Sequence, residues 1–318
     1  MSTLIELKNL KKYFVVPQGT LHAVDDVNLQ IEEGKTIGVV GESGCGKSTL
    51  GRTILRMVEP TSGEIIYKGE HVEEKNKQEL HLLRRELQMI FQDPYESLDP
   101  RMNVSALISE PLKINKICRS KDEQQEIVDS LLELVGIPLK LRDSYPHELD
   151  GGTRQRVGIA RALSLDPSFI VCDEPVSALD VSIQAQVINL LQELQEKKKL
   201  TYMFITHNLS VARHISDTIC VMYLGQVIEY ATRDELFSNT LHPYSQALLS
   251  AIPIPSTHGR RERIILKSEL TSPIDPKPGC RFAPRCIYAK PECFAQNPDL
   301  KDVGNGHMVA CHFAGQLG

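Results

Sequence analysis

Gly41-Glu42-Ser43-Gly44-Cys45-Gly46-Lys47-Ser48-Thr49 decides the fold of this 318-residue chain. The stretch meets the pattern G-x-x-x-x-G-K-[ST] at every fixed position. The apolar run Thr36–Val40 precedes it, and a helical pattern, Leu50–Met57, follows. A strand, a glycine-rich loop and a helix in that order form a phosphate cradle. Gly41, Gly44 and Gly46 let the backbone curl so that its N–H groups point inward at anionic oxygens. Lys47 adds a point charge near β- and γ-phosphates, and Ser48 offers a hydroxyl to Mg²⁺. A helix starting near Lys47 turns the positive end of its dipole on the same anion.

Working outward, Phe169-Ile170-Val171-Cys172 is followed by Asp173-Glu174. A buried strand would carry Asp173 to its C-terminal end beside the loop, where it holds Mg²⁺ through water. Glu174 is then placed to polarise an attacking water. Ahead of the loop, Leu4–Phe14 and Leu21–Ile31 alternate apolar and polar residues around Pro17-Gln18-Gly19 and read as antiparallel strands. Beyond it, Ser62–Glu70 reads as a strand and turn, His81–Leu87 as a short charged helix and Leu87–Phe91 as a buried strand. From Pro94 to Glu148 the pattern is mostly helical, clearest at Asp122–Val135. Strands at Ser168–Cys172 and Thr201–Thr206 alternate with helices at Ile183–Lys197 and Asn208–Ser216, and Thr218–Glu229 closes as a hairpin around Gly225. The expectation is an α/β fold with a mainly parallel sheet, an antiparallel β subdomain and an inserted helical subdomain at about 94–160.

Charge is near balance at −5, so nothing suggests a nucleic-acid partner. No apolar run approaches the ~18 residues that span a bilayer, and Met1–Phe14 lacks a signal-peptide core. The expected location is the cytosol. Beyond residue 253 the chain turns rich in Pro, Cys and charge, which divides it into residues 1–253 and a small accessory domain at 254–318. Cys45, Cys118, Cys172 and Cys220 are scattered, whereas Cys280, Cys286, Cys293 and Cys311 crowd the last forty residues. In a reducing compartment such a cluster suggests a metal rather than disulfides. No pair is spaced C-x-x-C, which disfavours a zinc ribbon. Four thiolates on irregular loops suit a [4Fe–4S] cluster, with zinc and free thiols as the alternatives. Pro278, Pro284 and Pro291 would stiffen the connecting loops.

Three further pieces complete a set. Gln92 follows the strand Leu87–Phe91, Leu149-Asp150-Gly151-Gly152-Thr153-Arg154-Gln155-Arg156 stands shortly before the acidic strand, and His207 follows the strand Tyr202–Thr206. Over roughly residues 3–250 this order resembles the ATP-binding subunits of ABC transporters. The resemblance implies a P-loop ATPase with a RecA-like core that binds ATP and Mg²⁺ through Gly41–Thr49. It implies that Gln92 senses the γ-phosphate and Mg²⁺, that His207 contacts the γ-phosphate, and that Ser48, Gln92 and Asp173 serve the metal. Lys47, Gln92, Glu174 and His207 would carry catalysis. Ser177-Ala178-Leu179-Asp180 would cross a dimer interface, and Asp150, Gly151, Gly152 and Thr153 would meet the nucleotide of the opposite subunit. An aromatic near residue 14 should stack on adenine, either Phe14 or Tyr13.

Tyr145-Pro-His-Glu-Leu149, Gln92–Met102 (QDPYESLDPRM), His242–Pro253 (HPYSQALLSAIP) and Gly279–Cys286 (GCRFAPRC) with the later cysteines narrow the resemblance to oligopeptide and dipeptide importers. The phosphate loop is similar to that of the second ATPase of the pair. Such a chain works with a second, usually different, ATPase subunit and two membrane permease subunits, on the cytoplasmic side of the membrane. An extracellular binding protein delivers the peptide, and some members carry an iron–sulfur cluster. Importers of nickel or another small solute are the nearest alternative. A soluble ABC ATPase would show two modules or long coiled coils, and a non-catalytic subunit would lack the glutamate or lysine. Leu149-Asp150-Gly151-Gly152-Thr153 departs from the family pattern LSGGQ, and Asp150 stands where serine is usual. Either its carboxylate weakens the partner's site by facing a triphosphate, or it swings to Arg154 or solvent.

Overall fold

The computed structural model describes residues 2–93, 97–252, 264–266 and 272–316. Pro94-Tyr95-Glu96 and Pro253 of the importer-like stretches, and the expected boundary at 253/254, lie outside the described residues. The chain forms two compact units, Met1–Glu74 with Phe204–Gly318, and Lys75–Met203.

The first unit begins with strands β1 (Thr3–Val16) and β2 (Gly19–Glu32), paired antiparallel with Ile5 opposite Ile31 and Leu7 opposite Leu29. Alternation puts these apolar side chains on one buried face. The Pro17-Gln18 break and Gly19, at φ 138°, turn the chain between them. Strands β4 (Ser62–Tyr67) and β5 (Glu70–His71) complete a four-stranded antiparallel sheet in the order β2-β1-β4-β5. A second sheet centres on β3 (Thr36–Val40), buried at all five positions as a strand covered on both faces must be. It runs parallel to β9 (Thr218–Tyr223), with Ile37 opposite Thr218. Leu224 and Gly225, both at positive φ (45° and 85°), turn β9 tightly into β10 (Gln226–Thr232).

Helix α1 (Lys47–Ile54) follows the phosphate loop and stops three residues short of the expected Met57. Arg56 adopts a left-handed conformation (φ 51°) and points its guanidinium at the Val72 carbonyl, which ends the helix.

The C-terminal residues complete this unit instead of building a core of their own. Strand β12 (Met308–Val309) pairs with β10, and β11 (Lys301–Asp302) pairs with β12. Phe282, 2 % exposed, packs edge-on against Tyr223 and Tyr244 at 5.3 and 5.4 Å. It belongs to one core with Val40, Ile219 and Val221. Two-residue strands bury too little apolar surface to stand alone.

In the second unit α2 (Lys77–Glu86) starts four residues before the expected His81. Asn76 and Glu79 form a capping box that fixes this start. Strands β6 (Leu87–Ile90) and β7 (Phe169–Asp173) run parallel, with Met89 opposite Val171. Helices α3 (Val104–Ile114), α4 (Lys121–Leu134), α5 (Gly151–Leu163) and α6 (Val181–Lys198) fill the unit. Asn103, Ser120 and Asp150 cap the first three. Helix α4 buries Val128, Leu131 and Leu132, the i, i+3, i+4 stripe its sequence promised. Among the described residues no helix is long and apolar enough to cross a membrane.

Candidate nucleotide site

The phosphate loop lies in the first unit, between β3 and α1. Gly41 (φ 152°), Gly44 (φ 78°) and Gly46 (φ 104°) all take backbone angles that side chains resist. A Cβ on Gly46 would come within 2.0 Å of the Ala23 carbonyl oxygen, so the loop admits only glycine there. No side chain caps α1, whose first N–H groups face the loop's concave side by construction. Lys47 is 4 % exposed, and its ammonium donates to the carbonyls of Gly41 (2.8 Å) and Glu42 (2.9 Å). Cys45 is buried, which pushes its thiol up, and its Sγ lies 3.9 Å from Lys47 Nζ. Ser43 and Gly44 are exposed at the loop's crest, while Ser48 and Thr49 are half-buried on α1.

His207 is exposed just after β8 (Thr201–Thr206), where Asn208 begins α7 (Leu209–Ile215). Tyr13 is committed internally: its ring stacks on His22 at 3.9 Å and its hydroxyl donates to Asp25. Phe14 is half-buried, with the Lys12 ammonium 4.7 Å from its ring centre.

The second unit holds the acidic pair. Asp173 ends β7 at 1 % exposure. Glu174 sits in the left-handed region (φ 44°) directly before Pro175, a costly backbone state for a non-glycine residue. Gln92 Nε2 donates to Glu174 Oε2 at 3.2 Å, so the expected γ-phosphate sensor and the acid expected to polarise water are joined in this unit. The expected dimer loop leads into α6: Ser177 Oγ donates to the Glu174 carbonyl at 3.1 Å, Ala178 is exposed, and Asp180 is the N-cap residue. Leu179 Cδ2 lies 3.2 Å from where a Gly151 Cβ would be, and Ile183 Cγ2 2.6 Å from one on Gly152. A side chain on Gly152 would therefore displace Ile183, whereas one on Gly151 would press only on the end of Leu179.

Asp150 caps α5 as expected. One carboxylate oxygen accepts the Thr153 N–H at 2.7 Å and the other its hydroxyl at 2.9 Å. These bonds hold its carboxyl below the usual carboxylate range. The Arg154 guanidinium donates through Nε to the Pro146 carbonyl.

Cys280, Cys286, Cys293 and Cys311 line one small cavity of about 20 Å³ with His242 and Phe282. The Cys280 N–H donates to the Cys293 carbonyl at 2.7 Å. Burial pushes the Cys280 thiol up to about 11 and raises those of Cys286 and Cys311. No group of three or more His, Cys, Asp or Glu side chains that could hold a metal ion occurs among the described residues. The four thiols thus share a cavity without forming a ready ligand set.

Two residues that sequence reasoning passed over also bind the phosphate loop. The Glu42 N–H donates to Tyr244 Oη at 2.9 Å, and the Glu42 carboxylate takes a two-pronged ion pair from Arg285 at 2.7 and 3.0 Å. No local pattern marks contacts across 202 and 243 residues.

The ABC transporter family matches residues 24–177, and the oligopeptide/dipeptide transporter C-terminal region matches residues 228–293. The chain is 55 % identical to the oligopeptide transport ATP-binding protein OppF of Bacillus subtilis, covering 97 % of this chain and 96 % of that one. It is 48 % identical to the dipeptide transport ATP-binding protein DppF of Haemophilus influenzae, with 97 % and 96 % covered. A solved dimer of the ATP-binding cassette MJ0796, in a post-hydrolysis state with ADP and Pi, is similar at TM-score 0.67 and 29 % identity. That match covers 72 % of this chain and 99 % of the cassette. With the phosphate loop, the paired acids and the C-terminal region all matched in one chain, the protein belongs to the ATP-binding proteins of ABC-type oligopeptide and dipeptide transporters.

Proposed function

We propose that this chain hydrolyses ATP to energise import of oligopeptides or dipeptides through a membrane ABC transporter. The observation that carries the reading is the glycine-only loop around Lys47 in a chain similar to peptide-transport ATPases along its whole length. In this reading Gly41–Thr49 cradle the phosphates and Lys47 leaves its loop carbonyls to meet their charge. Glu174, bonded to Gln92, polarises the attacking water, and His207 positions the γ-phosphate. Phe14 stacks on adenine. Ser48, Gln92 and Asp173 are all oxygen donors, a set that suits Mg²⁺; bound there, the ion would neutralise charge on the phosphate oxygens.

The finer assembly belongs to the same proposal. Residues 1–253 form the nucleotide-binding part, with a RecA-like core and a helical subdomain at about 94–160, and 254–318 the accessory part. The chain is the second ATPase of a heterodimer, seated with two permease subunits on the cytoplasmic side of the membrane and served by an extracellular binding protein. Its loop Ser177–Asp180 lies at the dimer contact. Its signature, Asp150 to Thr153, serves the partner's nucleotide weakly because an acid replaces serine. The four C-terminal cysteines are ligands of a [4Fe–4S] cluster, with zinc as the alternative. The four line one cavity, but among the described residues they are not drawn together as a metal-holding group, so either group would require the thiolates to close in around it.

Glu174→Gln tests the core of this reading in the assembled transporter. It keeps shape and removes the charge that polarises water. ATP binding should persist while turnover at this chain's site falls at least 100-fold, within the contribution expected of a general base. Near-wild-type single-turnover hydrolysis at that site would overturn the assignment.

A further inference from the structure

Glu42 is an acid built into a loop that must hold a polyanion. Its main chain is engaged twice, through the N–H to Tyr244 and through the carbonyl to Lys47 Nζ at 2.9 Å. Its side chain is held from outside the loop. Arg285, 6 % exposed, sets its guanidinium fork on both carboxylate oxygens at 2.7 and 3.0 Å. The fork is itself placed by the aromatic core: one nitrogen lies 3.4 Å from Tyr223 Oη, and the guanidinium carbon 5.8 Å from the Tyr223 ring centre. Tyr223 packs edge-on against Tyr244, the residue holding the Glu42 N–H, at 4.8 Å. Phe282, three residues before Arg285, packs on both tyrosines. A second arginine, Arg281, joins the same segment to the Leu224 carbonyl and to Asp25.

We infer that Arg285 is a positioning residue of the nucleotide site, which neutralises Glu42 and keeps its carboxylate away from Lys47. The inference rests on the reading of Gly41–Thr49 as the nucleotide loop. Two-pronged arginine–carboxylate pairs fix geometry as well as charge. Without the fork, the freed carboxylate sits on the residue whose carbonyl already holds the Lys47 ammonium at 2.9 Å. A lysine captured by its own loop is withdrawn from phosphate, and an unneutralised acid repels it. The C-terminal cysteine segment thereby acts on nucleotide affinity through one side chain, and any change that unseats residues 280–286 is felt at the phosphate loop.

The test is calorimetric binding of a Mg²⁺-bound, non-hydrolysable ATP analogue to the full-length chain. Arg285→Ala should raise Kd about tenfold, equivalent to about 1.4 kcal/mol. Adding Glu42→Gln should bring Kd back to within about threefold of wild type, because it removes the charge that Arg285 opposed. A merely structural arginine predicts no such rescue, so a double variant as weak as the single one overturns the inference. A folded Arg285→Ala with wild-type Kd overturns it too. Where Arg285→Ala does not fold, Arg285→Gln keeps length and an amide donor without charge. It should raise Kd about fivefold, and a wild-type value refutes the proposal. Lys47→Ala separates the two readings: if it leaves Kd unchanged, the loop is not the nucleotide site, whereas loss of binding with unaffected Arg285 variants refutes the positioning role alone.

Discussion

His307 and Glu229 pin the C-terminal segment to β10, and breaking that pin has a calculable cost. Glu229 is 0 % exposed and His307 1 %. The carboxylate accepts His307 Nε2 at 2.9 Å and the N–H groups of Leu241 (2.7 Å) and His242 (3.2 Å). Glu235 lies 3.5 Å from the other ring nitrogen. Burial opposes charge on His307, but the bonds and charges of Glu229 and Glu235 outweigh it and raise its pKa above the ordinary 6.5. His242 cannot take over as counter-ion, because burial pushes it down to about 4. His307→Ala therefore leaves a buried carboxylate with two backbone donors and no cation. Removing one partner of a buried pair costs about 3–5 kcal/mol, and the two surviving bonds place this case near 3. At 1.4 kcal/mol per decade, opening of the segment should become roughly 100-fold easier.

Hydrogen exchange at the Ala310 N–H, which donates to the Ile228 carbonyl at 2.8 Å, reads that opening directly. The sign of the pH dependence follows from the raised pKa. The stabilisation is fully present below the unfolded value near 6.5 and is lost as pH rises through the higher folded value. The protection lost in His307→Ala should therefore be greatest at pH 6 and shrink toward alkaline pH. His307→Gln, which keeps a donor without a titrating charge, should show a flatter profile. Ala310 protection within threefold of wild type at pH 6, or a deficit independent of pH, would refute the reasoning.

Two further outcomes follow. In a transporter whose own Glu174 is changed to Gln, Asp150→Ser should raise ATP turnover at the remaining site several-fold, since serine keeps a capping oxygen and removes a charge; no increase would show that the bonds to Thr153 keep the carboxylate out of the way. Cys286→Ser should abolish the brown colour and broad absorption of anaerobically purified protein; colourless wild-type protein with one equivalent of zinc would exclude the iron–sulfur reading, and metal-free protein with four titratable thiols would exclude both.

The parts legible in the sequence are those written locally. Four apolar residues before Asp173 make a buried strand whatever surrounds them, and the glycines of the loop mark their own positive φ angles. Asp150 reads as a cap because its partner is three residues away. The capping box of Asn76 and Glu79 was equally local, and weighing it against the charged pattern from His81 would have placed the start of α2. Phe14 and Tyr13 both stood as choices, since the engagement of the Tyr13 ring depends on His22 and Asp25 in the next strand. The C-terminal segment was least legible. Its composition suggested a domain apart, yet its fate is set by a strand pairing between Tyr230 and Met308 and by Phe282 entering a core shared with Val40. Contacts so distant along the chain leave no periodicity to read.

Two acids stand in loops expected to meet phosphate, and the chain deals with them by different physics. Asp150 spends both oxygens on Thr153 at the start of its own helix, where the N–H groups and the helix dipole stabilise a negative charge. That solution is local and survives whatever the rest of the chain does. Glu42 has no such recourse, because the nearby N–H groups of the phosphate loop are the ones its function requires for phosphate. Its charge is met instead by a guanidinium carried 243 residues downstream. A local cap depends only on the turn that bears it, but a borrowed counter-charge depends on the docking of the segment that supplies it. The phosphate loop is therefore complete only when residues 280–286 are seated on Tyr223 and Tyr244, and the pinning of β12 by Glu229 and His307 helps to hold that same stretch of chain in place.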